Sequence, residues 1–169
     1  GERNFHVFYQ LSATSNKDDA WRLPPSPATT CTYLKQGGVP SLDTMDDGKE
    51  FDTVVEALKA LGVSDDDVKH VFSLVAGLTH LGDVLFEFAV GDDGGGSNVE
   101  NRTILDRAAS LCGLDADKLL QAVTTRTVTA RSESYTVRLV PQDACQARDA
   151  VAKALYGRLF AWLVRAINK

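Results

Sequence analysis

Residues 142–169 read QDACQARDAVAKALYGRLFAWLVRAINK, with apolar side chains recurring at the spacing of an α-helix. A helix of about 27 residues is roughly 40 Å long, because each residue adds 1.5 Å. Its apolar side chains are not confined to one stripe: one row holds Val151, Leu155, Leu159 and Trp162, and others hold Tyr156, Phe160, Leu163, Val164 and Ile167. Most of the circumference therefore needs cover. A chain of 169 residues can hardly wrap it all, which indicates a neighbour outside these residues.

Two segments rich in β-branched residues lie just before this helix. Thr125–Thr129 and Tyr135–Val140 flank the polar run Ala130-Arg131-Ser132-Glu133-Ser134. Paired strands around a short polar run are typical of a hairpin. The sequence predicts a hairpin-like excursion whose polar tip faces solvent.

Five segments further upstream have the patterns of shorter helices. Asp46 and Asp47 stand where acidic groups favour a helix start, and Gly62 follows the apolar positions. Ser64 is a suitable N-cap for the next helix, and Gly82 ends it. The predicted ranges are about 5–12, 46–61, 64–82, 101–112 and 115–123.

Two other regions lack a helical pattern. Ser15–Ser41 contains four prolines and the pair Gly37-Gly38, which predicts an irregular connection with at most one short turn. Val84–Ala89 alternates in the manner of a short strand. It leads into Gly91–Asn98, a glycine-rich polar run that predicts an exposed, mobile loop.

These elements predict a mainly α fold, an irregular helical bundle with a short β-hairpin-like excursion. The chain has 169 residues and 44% hydrophobic content, enough to bury one core. A single domain over residues 1–169 is therefore expected.

The charge is unevenly distributed along the chain. Residues 1–100 carry 7 Lys and Arg against 17 Asp and Glu, whereas residues 101–169 carry 11 against 6. A positive second half could face an acidic protein partner, and an unevenly charged, solvated surface is an equally good explanation. The acidic total, with a net charge of −5, argues against nucleic acid as a partner.

Two further features predict a cytoplasmic chain. Cys31, Cys112 and Cys145 are widely spaced and odd in number, which fits a reducing compartment better than a disulfide framework. No run approaches the roughly 18 consecutive apolar residues of a membrane helix, so membrane insertion is not expected.

Motifs for independent catalysis are missing from the sequence. A phosphate loop of the form GxxxxGK[ST] is absent, and Gly94–Gly96 lie among acidic residues that would repel a phosphate. The histidines do not combine with other ligands at a metal-site spacing, and no GxSxG-like elbow is present. We expect no catalytic, cofactor or metal site within these residues.

Five stretches, in order, resemble landmarks of the myosin motor head, and of unconventional myosins at least as well as the muscle type. They are Gly1–Leu11, Tyr33–Gly38, Asp46–Phe51, Leu78–Asp83 and Ala147–Asn168. The resemblance implies the upper fifty-kilodalton subdomain, the mostly helical body between switch I and switch II. Small departures occur at Asp83 and Val151, where the family pattern has asparagine and leucine.

The resemblance also implies the function of the parent protein. That protein would be an actin-activated ATPase that moves along actin filaments, binds ATP and Mg, and lies in the actin cytoskeleton. This fragment would carry one side of the actin-binding cleft, would lack the nucleotide site and would not itself be an enzyme. Its partners would be the actin filament and the remaining subdomains of the head.

Two loops would approach actin according to the same resemblance. Gly91–Asn98 corresponds to loop 4, although its acidic composition departs from a basic loop, and Thr129–Gln142 corresponds to the cardiomyopathy loop. Glu133 lies 16 residues before Asp149, at the position where the TEDS rule requires an acid or a phosphorylatable residue. The implied actin-binding residues are Arg126, Arg131, Glu133, Tyr135 and Arg138.

An alternative is a stand-alone helical module that binds a protein partner through its long helix. Cover of the apolar helix surface by the chain's own residues would favour this module. A large exposed apolar patch would favour the motor fragment.

Overall fold

The computed structural model describes residues 2–14, 20–91, 95–130 and 133–168. Within them the chain forms mainly helices, with two short antiparallel strand pairs. The order is α1 (His6–Ser12), α2 (Pro27–Thr30), α3 (Thr32–Lys35), α4 (Asp47–Ala60), α5 (Asp65–Gly82), β1 (Phe86–Phe88), β2 (Ser97–Val99), α6 (Arg102–Leu111), α7 (Ala116–Thr124), β3 (Thr125–Ala130), β4 (Glu133–Arg138) and α8 (Pro141–Ile167). The predicted mainly α fold is confirmed.

Three helices begin at capping side chains that the sequence predicts. Asp46 accepts hydrogen bonds from the backbone N–H groups at the start of α4, and Ser64 and Asp115 do the same for α5 and α7. These bonds satisfy donors that have no partner inside a helix. The helix starts are therefore determined locally.

Helix α5 lies at the centre of the core. Its apolar row of Val68, Val71, Phe72, Val75 and Leu78 is buried, as its spacing predicts. Helices α1, α4, α6 and α8 all pack against α5. Gly77 lets α5 pack closely against the end of α6, because a Cβ atom there would lie 2.5 Å from the sulfur of Cys112, the residue after α6.

The expected irregular connection over Ser15–Ser41 is wrong in part. Residues 15–19 lie outside the described residues, but α2 and α3 form two short helices in the remainder. Pro27 occupies the first turn of α2, where its missing N–H costs no hydrogen bond. Burial of Cys31 and Leu34 then fixes turns that periodicity could not reveal in so short a segment.

The prediction for Gly91–Asn98 also needs correction. Residues 92–94 lie outside the described residues, whereas Ser97 and Asn98 pair with β1 as the start of β2. The Ala89 N–H donates to the Gly96 carbonyl at 2.8 Å, and Ser97 is buried. Backbone pairing thus orders residues whose composition alone predicts an exposed loop.

Helix α8 is covered unevenly. Ala144, Arg148 and Ala152 are buried in its first half. Phe160, Val164 and Ile167 in its second half remain 61%, 43% and 43% exposed. The sequence predicts more apolar surface on this helix than the chain itself can cover. That uncovered surface is found mainly in the second half of α8. None of the helices among the described residues has the length and apolar character needed to cross a membrane.

Candidate functional site

The structure describes four of the five predicted site residues, and all four lie on the β3–β4 hairpin. The fifth, Arg131, lies outside the described residues. Its register pairs Arg126 with Val137, Val128 with Tyr135, and Ala130 with Glu133. Side chains opposite one another in a strand pair lie on the same face, and alternate residues share that face. Arg126, Glu133 and Tyr135 therefore share one face of the hairpin.

This face is open to solvent. Glu133, Tyr135 and Arg126 are all exposed, and half of the Tyr135 surface is accessible. A carboxylate, an aromatic ring and a guanidinium can each make a contact of a different kind with a protein partner. We name this surface, formed by Arg126, Val128, Glu133, Tyr135 and Val137, the hairpin face.

Arg138 belongs to the opposite face of the hairpin. It pairs with Thr125 in the register, and its guanidinium turns toward β2. Its Nη2 donates to the Ser97 carbonyl at 3.0 Å and to Asn98 Oδ1 at 3.1 Å. The structure thus does not bring Arg138 together with the other predicted site residues.

The base of the hairpin is held to the body. The Leu139 N–H donates to the Thr124 carbonyl at 2.8 Å, and the Leu139 side chain is buried. Val123, at the end of α7, is fully buried. Toward the other end, Thr129 and Ser134 share a hydrogen bond of 3.0 Å on the face opposite Glu133. The hairpin is anchored at its base and projects from there.

A second group of polar residues fixes the first half of α8. Arg148 Nη1 donates to the Val84 carbonyl at 2.8 Å, and its Nε donates to Asp149 Oδ1 at 2.9 Å. The Tyr33 hydroxyl donates to the same carboxylate oxygen at 2.6 Å. We name Tyr33, Val84, Arg148 and Asp149 the Arg148 junction; it joins α8, α3 and the residues before β1.

The charges of the Arg148 junction are matched. Burial opposes the charge on the Arg148 guanidinium. The hydrogen bond from Arg148 to Asp149 and the attraction between the two charges outweigh burial, so the pKa of Arg148 is raised. Burial, followed by the Asp149 hydrogen bond, raises the pKa of Tyr33, which therefore stays a hydrogen-bond donor.

Sequence reasoning missed this junction. One signal was available, because Arg148 precedes Ala152, Leu155 and Leu159 in a row that otherwise faces inward.

Two thiols and one imidazole among the described residues are buried or mostly buried. Burial raises the pKa values of the Cys31 and Cys112 thiols to about 12, so both stay protonated. His80 is buried near the end of α5 and contacts the Trp21 carbonyl through Nε2 at 3.0 Å. Among the described residues, no three His, Cys, Asp or Glu side chains are grouped to hold a metal ion.

Comparison with known proteins identifies similar sequences. The family described as myosin head (motor domain) matches residues 1–169. Myosin-52 of Schizosaccharomyces pombe is 38% identical over 99% of this chain and 11% of its own length. Unconventional myosin IC of Drosophila melanogaster is 37% identical over 99% of this chain and 16% of its own length. Unconventional myosin heavy chain 6 of Caenorhabditis elegans is 34% identical over 99% of this chain and 8% of its own length. The chain thus spans 8% to 16% of these relatives.

Proposed function

Because the chain belongs to the myosin head (motor domain) family, we propose that it is the upper fifty-kilodalton subdomain of an ATP-driven motor. That motor moves along actin filaments within the actin cytoskeleton. The fragment carries one side of the actin-binding cleft, and the remaining subdomains of the head supply the other side. ATP and Mg bind in the parent motor outside these residues, since the sequence has no phosphate-loop motif.

The observation that carries this proposal is the hairpin face. Glu133 and Arg126 offer charges of both signs, and Tyr135 adds an aromatic surface between them. Exposed charge pairs are each worth about 0–1 kcal/mol, so the hairpin alone would bind weakly. Firm binding then requires the second side of the cleft, and the electrostatic part of the affinity falls as salt is added.

Glu133 has a specific role in this proposal. A glutamate at the tip of the hairpin supplies a carboxylate without any modification of the chain. It pairs with a cationic group on actin, so no phosphorylation of the motor at this position is needed. The exposure of Glu133 supports this role, because its carboxylate can reach a partner without unfolding the hairpin.

Helix α8 provides a mechanical connection in the same proposal. It starts three residues after β4 and runs for 27 residues away from the hairpin. The Arg148 junction fixes its first half to the body, so displacement of the hairpin base moves a rigid helix. The second half carries that displacement toward the nucleotide site of the parent motor.

Co-sedimentation of the complete motor head with actin filaments tests the proposal. Wild type is compared with Glu133→Ala and Glu133→Lys, first without nucleotide and then with ATP. We expect strong pelleting that ATP releases, weaker pelleting of Glu133→Ala, and the weakest pelleting of Glu133→Lys, because lysine places a like charge against the cationic group on actin. Glu56→Ala, at an exposed glutamate on α4, is the matched control and should pellet like wild type.

Two results would contradict the proposal. Absence of pelleting under every condition would remove the actin-binding function. Wild-type pelleting of both Glu133 variants would leave the motor but remove the role of Glu133. The stand-alone helical module is the weaker proposal, since Phe160, Val164 and Ile167 of α8 are left uncovered by the chain's own residues.

A further inference from the structure

Two β-ribbons flank α7, and within the described residues the Arg138 side chain joins them. The β1–β2 ribbon and the β3–β4 hairpin both pack against α7. A cavity of about 360 Å³ lies between them, lined by Ser97, Asn98, Leu120, Thr124 and Arg138 among others. Apolar packing therefore does not fill the gap, and the hydrogen bonds of Arg138 are polar contacts that cross it.

We propose that Arg138 is a positioning residue that holds the β3–β4 hairpin to the β1–β2 ribbon, so that the two loops respond to actin as one unit. This inference rests on the proposed actin-binding function. Arg138 would act through Ser97 and Asn98 and would not itself contact actin. It revises the role that the sequence resemblance implies for this arginine.

The geometry supports a positioning role. A single nitrogen, Nη2, donates to both the Ser97 carbonyl and Asn98 Oδ1, and the first of these bonds is partly buried. Ser97 is itself only 2% exposed, so the acceptor is fixed within the ribbon. Hydrogen bonds from a charged donor are stronger than neutral ones. The register places Arg138 on the face opposite Glu133 and Tyr135, away from the hairpin face.

Residues on both sides of the gap make the tie effective. Asn101 fixes the other end of the ribbon, because its side chain accepts from the Leu85 N–H and donates to the Asp83 carbonyl. Leu139, next to Arg138, is buried and bonded to the end of α7. Arg138 thus links the β1–β2 ribbon to the β3–β4 hairpin, and each of these is also bonded to the body close by. Loss of the Arg138 hydrogen bonds should therefore let the ribbon and the hairpin move relative to each other without detaching either from the body.

The test uses the complete motor head with Arg138→Met, Arg138→Lys, Asn98→Ala and the double variant Arg138→Met with Asn98→Ala. Methionine keeps an unbranched apolar stem but has no donor, whereas lysine keeps a charged donor on a side chain one bond shorter than that of arginine. Arg126→Met, on the hairpin face, is the matched control. Hydrogen exchange over residues 85–100 is measured without actin, and actin affinity is measured across a salt series.

We expect Arg138→Met to speed exchange in the ribbon about threefold or more and to weaken actin binding roughly three- to tenfold. The dependence of affinity on salt should stay unchanged, because no charge in contact with actin has been removed. Arg138→Lys should restore both properties only in part, because its ammonium keeps the charge but reaches less far. The effect of the double variant should be smaller than the product of the single effects, since Arg138 and Asn98 act through one contact. Arg126→Met should leave exchange unchanged and reduce the salt dependence.

Three results would overturn the inference. In the first, Arg138→Met leaves hydrogen exchange in the ribbon unchanged but binds actin more weakly and with less dependence on salt. That result would assign Arg138 to direct contact with actin. If Arg138→Met has the same hydrogen exchange and actin affinity as wild type, Arg138 neither joins the ribbons nor contacts actin. Strictly multiplicative effects of Arg138→Met and Asn98→Ala would also exclude the proposed tie. If wild type itself does not bind actin, the proposed function fails, and the exchange data still decide whether Arg138 joins the ribbons.

Discussion

The Arg148 junction and the hairpin face are built from similar side chains in opposite environments. Each contains an arginine, a carboxylate and a tyrosine. In the junction the Arg148 side chain is 9% exposed, and it is bonded to Asp149 and the Val84 carbonyl. On the hairpin face Tyr135 is 50% exposed, and Arg126 and Glu133 are also exposed.

This difference separates side chains that fix the fold from those available to a partner. Removing one member of a buried polar group leaves others without their hydrogen bonds, which is costly. Removing an exposed member leaves water in its place. Changes in the junction should therefore affect the folded head itself, and changes on the hairpin face should affect binding alone.

The largest expected effect is at Arg148. Arg148→Met deprives the Val84 carbonyl and Asp149 of a buried donor, and we expect a loss of about 2–4 kcal/mol in the local free energy of opening. Native-state hydrogen exchange at residues 144–152 of the complete head measures this change. Arg158→Met, at an exposed arginine of the same helix, should stay within about 0.5 kcal/mol of wild type. Equal effects of the two variants would show that the buried hydrogen bonds of Arg148 do not stabilise the first half of α8.

A pair of glycines extends the comparison to packing. A Cβ atom at Gly77 would lie 2.5 Å from the Cys112 sulfur, whereas nothing lies within 4 Å at Gly157. Gly77→Ala should destabilise the α5–α6 contact by about 1–3 kcal/mol. Gly157→Ala should stabilise α8 by about 0.5–1 kcal/mol through helix propensity. Thermal unfolding of the complete head measures both, and destabilisation by Gly157→Ala would indicate that another part of the head covers this surface.

His80 adds a pH dependence to the buried region. Burial lowers the pKa of His80, and the hydrogen bond to Trp21 only partly opposes this. The folded chain thus keeps a neutral imidazole at a pH where the unfolded chain binds a proton. Stability attributable to His80 is complete above its ordinary pKa of about 6.5 and falls as the pH drops below it. Unfolding midpoints between pH 7.5 and 5.5 should fall less in His80→Gln than in wild type. His70→Gln, at an exposed histidine of the same helix, should follow wild type.

The smallest effect on stability is expected on the hairpin face. Glu133→Ala and Tyr135→Ala should each change the unfolding free energy of the head by less than about 0.5–1 kcal/mol, because both side chains are exposed. Circular dichroism melting of each variant measures this. A large loss of stability in either would show that the hairpin face is covered within the head and is unavailable to actin.

Several elements were predictable because their signals are local. The caps at Asp46, Ser64 and Asp115 and the apolar row of α5 appear in the sequence at the spacing that a helix requires. The hairpin was predictable from two β-branched runs around a polar one. By contrast, α2, α3 and β2 each have three or four residues, too few for periodicity to be read.

The site residues also divide into features that the local sequence indicates and features that only packing decides. The sequence by itself determined the mainly α fold, the family and the presence of charged and aromatic residues near Glu133, because spacing and motifs are contained in neighbouring residues. Only the tertiary structure decided that Arg138 turns toward Ser97 and that Arg148 joins Val84 and Asp149. Arg138 and Ser97 are 41 residues apart, and Arg148 and Val84 are 64 apart. Contacts at such separations form when helices and strands pack, and the packing geometry selects which arginine is buried and which face stays open.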